Sequence, residues 1–206
     1  MRLGIICEGL ADAQVLPVLV RKLDPTISIV KPIEMGRQGG AKIRLTREAG
    51  KNAASLLQID HCDRVAIVWD LCPRWAETES PFLWKDVRAI RASLKTHKVD
   101  PKKVVLICII RELESWLIAD RKALIKLITK TSHYGEGDVP RFSKPEEHSN
   151  PKGMLMEFFR SARRDGDYMP TTHAKQIAIH IECNNLRRCP TFRRFARKVA
   201  GYIISS

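Results

Sequence analysis

Apolar and polar positions along the chain follow two habits. Residues 2–7, 64–69 and 103–110 are runs with no polar alternation, the pattern of strands buried on both faces of a parallel sheet. Residues 27–35 alternate and read as one further strand. Between these runs lie stretches with helical spacing. Residues 11–23 place Val15, Leu19 and Leu23 on one face, and 41–57, 85–97 and 111 to about 130 read the same way. Pro17 is expected to kink the first helix or delay its start, because it removes a backbone donor, and Gly50 marks a weak point in the second. Strands separated by helices predict an α/β fold with a mostly parallel central sheet of about four strands flanked by helices.

Beyond residue 130 the pattern changes. Residues 131–151 are rich in Gly, Pro, Ser, Glu and His and read as a loop, followed by helices at 152–163 and at 174–183, the latter extended by 191–202. The expected organisation is an α/β core over 1–130, with 131–206 forming a loop and basic C-terminal helices packed on it as one domain. The length of 206 residues suits a single domain. With 44% apolar and 29% charged residues, disorder of the whole chain is excluded. The longest apolar run, 104–110, is far short of the roughly 20 residues a membrane span needs, so no membrane is expected as a partner. No secretory signal is visible. The cysteines at 7, 62, 72, 108, 183 and 189 form no CxxC and no common zinc spacing, so reduced thiols and a cytoplasmic location are expected.

Charge narrows the function. Lys and Arg number 36 against 23 Asp and Glu, a net charge of +13. That balance favours a polyanion as partner, most often nucleic acid. From Arg160 to Ser206 there are ten basic and three acidic residues, so about half of the excess lies in the last quarter. Arg187, Arg188, Arg193, Arg194 and Arg197 are interleaved with Phe192 and Phe195. At helical spacing the two Phe read as core, which leaves the Arg side as a phosphate-binding face. Arg37 and Lys42 sit in or beside the Gly36–Gly40 loop and would add charge to a phosphate cradle, although the Walker spacing is missing and a flexible connection reads equally well. Trp75 and Trp84 flank the loop after Asp70 and could stack on a base. His180-Ile181-Glu182 lacks the PCxxC of a zinc deaminase and is set aside.

The acids carry the chemistry. In open α/β sheets ligands bind beyond the carboxyl ends of the strands. Glu8 ends the first strand and Asp12 lies one turn into the next helix. Asp70 ends the third strand, and Glu112 and Glu114 follow the fourth. Three buried strands thus deliver carboxylates to one edge of a basic protein. Converging carboxylates repel one another, and a divalent cation resolves the conflict. Oxygen ligands without a His/Cys cluster suit Mg²⁺ or Mn²⁺, and such a site suits phosphodiester chemistry. Each acid also has a local alternative as a helix cap or first-turn residue. Glu112 and Glu114 stand two apart, so only one faces the site easily in a helix, and Glu114 is preferred.

Several segments carry a resemblance. Ile5-Ile6-Cys7-Glu8-Gly9-Leu10-Ala11-Asp12 resembles the strand-Glu-Gly-x-x-acid motif that opens Toprim domains. Val65-Ala66-Ile67-Val68-Trp69-Asp70 resembles the later Toprim strand that ends in Asp-x-Asp. Residues 112–120, Asn150-Pro151-Lys152 and the 189–195 segment resemble a bacterial Toprim-like family of unknown function, DUF4276. The resemblance covers nearly the whole chain. It implies a domain related to overcoming-lysogenization-defect nucleases, whose relatives often accompany an ATPase in anti-phage defence. By it Glu8, Asp12, Asp70 and one of Glu112 and Glu114 would hold Mg²⁺ or Mn²⁺, and Lys152 would face the substrate phosphate. The chain departs from the pattern at Cys72, which stands where the second acid of Asp-x-Asp belongs. The expected function is therefore a metal-dependent nuclease acting on DNA or RNA. The alternatives are a degenerate Toprim-like nucleic-acid-binding or regulatory subunit, and a module that docks an acidic protein.

Overall fold

β1 (Arg2–Cys7) runs through the middle of a sheet whose paired strands are all parallel. The computed structural model describes residues 1–36, 40–71, 80–128, 139–162 and 167–204, without the side chains of 80–83 and 128. On one side β1 pairs with β4 (Arg64–Asp70), which pairs with β5 (Val104–Ile109). On its other side β1 pairs with two short strands, β2 (Ser28–Ile29) and β3 (Ile33–Glu34). The alternation over 27–35 predicts one strand, and the structure has two collinear pieces. Pro32 between them has no N–H to give to the ladder, so pairing lapses there and resumes at Ile6↔Ile33.

Helices cover both faces, as fully apolar strands require. α2 (Ala41–Gln58) and α3 (Ser80–Thr96) pack on Ile6, Val65, Ile67 and Trp69. α1 (Leu10–Leu23) packs on the opposite face, against Leu3, Ile5, Ala66 and Val68, and runs without interruption through Pro17. Gly50 is a close contact rather than a weak point. A Cβ there would lie 2.0 Å from the Ser93 carbonyl oxygen of α3, and the Gly50 N–H donates to Ser93 Oγ at 2.9 Å.

The helix expected from 111 to about 130 is two helices, α4 (Glu114–Leu117) and α5 (Arg121–Ile128). Asp120 separates them. Its Oδ1 accepts from the N–H groups of Lys122 and Ala123 at 3.0 and 3.2 Å, capping α5, while Oδ2 accepts from Glu182 N–H at 2.8 Å. α6 (Pro151–Ala162) follows. The helix expected over 174–183 is a π-helical turn leading into α7 (Lys175–His180), and a 3-10 turn precedes α8 (Pro190–Ala200). Residues of α4 to α8 share one apolar core with α1 and the sheet. Phe192 and Phe195 are fully buried, with ring centroids 5.1 and 5.4 Å from that of Trp116. The buried Glu146 clasps this contact by accepting from Trp116 Nε1 at 3.0 Å and from the Thr191 N–H and hydroxyl. No helix among the described residues is long and apolar enough to cross a membrane.

Candidate functional site

Sheet topology creates a crevice. The chain leaves β1 through α1 to the β2/β3 edge, then returns through α2 to β4 on the other side of β1. Connections therefore diverge between β1 and β4, and a crevice opens beyond their carboxyl ends. Glu8 follows β1 directly and Asp70 closes β4. The Asp70 N–H donates to Glu8 Oε1 at 3.1 Å, which holds the two acids side by side across neighbouring strands.

The other acids reach the same place from different elements. Asp12, on the first turn of α1, is buried, and its Oδ2 accepts from the Gly9 N–H at 2.9 Å. Glu114 begins α4, is only 6% exposed, and accepts from the Tyr168 hydroxyl at 3.2 Å. Glu112 instead caps α6 by accepting from the Lys152 N–H at 2.7 Å. Arg111, in the bend that leads out of β5 to these two glutamates, has φ +70°. A non-glycine residue there is strained, and such strain persists where the surroundings over-determine it.

Burial and mutual repulsion push the carboxyls of Glu8, Asp12, Asp70 and Glu114 toward the protonated state. Burial raises Glu8 to about 7, against the pull of the Lys42 ammonium and the Asp70 N–H. Asp12 rises to about 6, by burial first and then the charge of Glu34. Burial and then Glu112 raise Glu114 to about 7, with the Lys152 ammonium opposing. Asp70 is raised well above the ordinary range, by burial first and then by Asp12, Glu8, Glu114 and Glu112. It is the electrostatic centre of the cluster.

Three contributors were missed in the sequence. Glu34 ends β3 in register with Cys7, and its Oε2 is buried with no hydrogen-bond partner among the described residues. Its cue was its place at the end of a strand, hidden by reading 27–35 as one uninterrupted strand. Asp86 of α3 pairs with Lys42 at 3.7 Å and adds to the field at Glu8. Tyr168, buried and bonded to Glu114, comes from a stretch with no periodic pattern.

Of the basic residues singled out, Lys42 lies beside Glu8 and Lys152 beside Glu114. Arg187 and Arg188 line a cavity of about 320 Å³ with Arg121 and Arg141, and Arg188 donates to the Ala119 carbonyl at 3.2 Å. Arg193, Arg194 and Arg197 line a separate cavity of about 280 Å³ with Tyr202. The single Arg face expected from the sequence is thus divided between two cavities. Trp84 is 56% exposed on α3. Arg37, Cys72 and Trp75 lie outside the described residues.

The donor set is all oxygen and fits a hard cation such as Mg²⁺ or Mn²⁺, with the unpartnered Glu34 oxygen and mutually repelling acids as the structural reason. Among the described residues no three His, Cys, Asp or Glu side chains already stand together as a finished cation site. Glu8, Asp12, Asp70 and Glu114 would have to close on the ion.

Fold and site together define an open parallel α/β protein with a carboxylate-lined crevice at its switch point. The chain belongs to the family described as Domain of unknown function (DUF4276), which matches residues 7–200. No curated protein matches it.

Proposed function

We propose that this protein is a Mg²⁺- or Mn²⁺-dependent phosphodiesterase of Toprim-like type, a cytoplasmic nuclease that works with a partner ATPase in bacterial anti-phage defence. The observation that carries the reading is the crowding of Asp12, Glu8, Glu114 and Glu112 around Asp70 at the switch point of a chain of net charge +13. The defence setting and the ATPase rest on the resemblance of the motifs around Glu8, Asp70 and residues 112–120.

Glu8, Asp12, Asp70 and Glu114 would hold the cation, with Glu34 beside them. When bound, such a cation supplies charge neutralisation at the phosphate and lowers the pKa of water for in-line attack. The protein's own residues prepare the site. The Tyr168 hydroxyl fixes the orientation of Glu114, and the Asp70 N–H fixes that of Glu8. The exposed Lys152, on the first turn of α6, offers an ammonium to a phosphate oxygen next to Glu114, and Lys42 does so next to Glu8.

Cleavage of supercoiled plasmid, single-stranded DNA and RNA with Mg²⁺, Mn²⁺ or EDTA tests this reading. Cutting should require the cation and should fall at least a hundredfold in Asp70→Asn. Cutting that survives Asp70→Asn and Glu8→Gln would refute it. Asp70-Leu71-Cys72, with a thiol in place of the second acid, favours a second reading: a degenerate subunit that binds nucleic acid without cutting. Binding without cleavage, unchanged by EDTA, would select it.

A further inference from the structure

The amino end of the sheet carries a cleft of the opposite character. Arg64, the first residue of β4, lines a cavity of about 380 Å³ together with Arg91 of α3, Lys102 of the turn before β5, and Arg194 and Lys198 of α8. No acidic side chain among the described residues lines it. Among the described residues none of these five cations has an ion-pair partner, although Lys42, Arg47, Lys144 and Arg160 all do. Arg194 also lines the neighbouring cavity with Arg193 and Arg197, so the basic track continues past the cleft. Four elements distant in sequence contribute, and five unpaired cations held together repel one another unless an anion lies between them.

We propose that this cleft binds the phosphate backbone of duplex nucleic acid. Among the described residues its lining is cationic and aliphatic, without the aromatic side chains on which unpaired bases stack, which favours a duplex backbone over a single strand. β4 separates Arg64 from Asp70 by six residue steps, about 20 Å at the rise of a strand. The cleft therefore contacts different phosphates from those that reach the carboxylate edge. Its binding needs no divalent cation and does not depend on the nuclease reading.

Fluorescence anisotropy with a labelled 20-base-pair duplex, in EDTA across a salt series, tests the proposal. Five phosphate contacts predict a slope of about −4.5 in log K against log salt. The triple variant Arg91→Gln, Lys102→Gln, Lys198→Gln, whose three side chains are exposed, should reduce that slope by about 3, irrespective of duplex sequence. A control that removes the same charge elsewhere, Lys22→Gln, Lys51→Gln, Lys175→Gln, should leave most of the slope in place. Equal losses in both triple variants would overturn the proposal in favour of diffuse attraction. Absence of duplex binding, tighter binding of single strands, or equal binding of poly-glutamate would also overturn it. Because EDTA is present throughout, failure here leaves the nuclease reading standing, and loss of cleavage in Asp70→Asn leaves the cleft standing.

Discussion

Asp70 donates its backbone N–H to the carboxylate of Glu8, so two acids from neighbouring strands are fixed side by side by a bond that uses only one oxygen of one of them. The remaining oxygens are left to burial and repulsion. A fold that gathers carboxylates in this way stores unfavourable electrostatics that either a proton or a cation relieves.

Proton relief makes stability depend on pH. Glu8 and Glu114 titrate at about 7 in the folded chain, against 4.5 for an ordinary glutamate. Between those values the native state holds more protons than the unfolded one. The stabilisation is therefore complete below about pH 4.5 and is lost as pH rises through 7. Glu114 alone is worth about 3 kcal/mol on this basis, at about 1.4 kcal/mol per pKa unit. Urea unfolding in EDTA should show stability falling from pH 5 to pH 8, and Glu114→Gln should flatten that fall. A wild-type curve and a Glu114→Gln curve of the same shape would contradict the assignment.

Tyr168 orients Glu114 through a buried hydroxyl. Tyr168→Phe keeps the ring, which packs on Phe159 at a centroid distance of 5.3 Å, and removes only the hydrogen bond. The expected cost in stability is about 1 kcal/mol. Cation affinity should drop several-fold while the far-ultraviolet circular dichroism stays unchanged. Unaltered cation affinity would make the contact purely structural.

The Glu146 clasp should matter as much as the core it closes. Its carboxylate accepts from Trp116 and from the Thr191 N–H and hydroxyl in a buried setting. Glu146→Ala leaves the Thr191 N–H and hydroxyl without their acceptor, while Trp116 Nε1 keeps its bond to Thr191 Oγ1 at 3.0 Å, and should destabilise the fold by about 3 kcal/mol, read by thermal or urea unfolding. Glu147→Ala next to it, exposed and paired with Lys144, should change stability by less than about 0.5 kcal/mol.

Gly50 is predicted to be intolerant for steric reasons. Gly50→Ala would drive a methyl group to 2.0 Å from the Ser93 carbonyl oxygen. α2 and α3 would have to separate, at a cost of about 3 kcal/mol. Alanine is ordinarily the better helix former, so a stabilised Gly50→Ala protein would show that the two helices do not approach so closely.

Much of this was legible in the chain itself, because buried parallel strands announce themselves as unbroken apolar runs. β1 and β4 fell where the runs at 2–7 and 64–69 placed them, and the acids at their ends followed from topology alone. What stayed hidden depended on single residues acting against a periodic background. Pro32 divides an alternating strand, and Asp120 caps a new helix inside an apolar stretch through Lys122 and Ala123 while its other oxygen bonds Glu182, 62 residues away. The two-residue spacing of Glu112 and Glu114 favours one of them, Glu114, without showing what the other does. Tertiary contacts give each its part, one capping α6 and the other buried under Tyr168. The basic residues of α8 were visible as charge, but their division between cavities, and the company of Arg64, Arg91 and Lys102, depends on the packing of distant elements.

Cation binding tests the central claim most directly, because it needs neither a substrate nor a partner. Titration calorimetry of Mn²⁺ into the wild-type protein and Asp70→Asn at pH 8 should give saturable binding to the wild type. Asp70→Asn should lose at least tenfold in affinity. No saturable binding to the wild type, or equal binding to Asp70→Asn, would contradict a metal centre at the carboxylate edge.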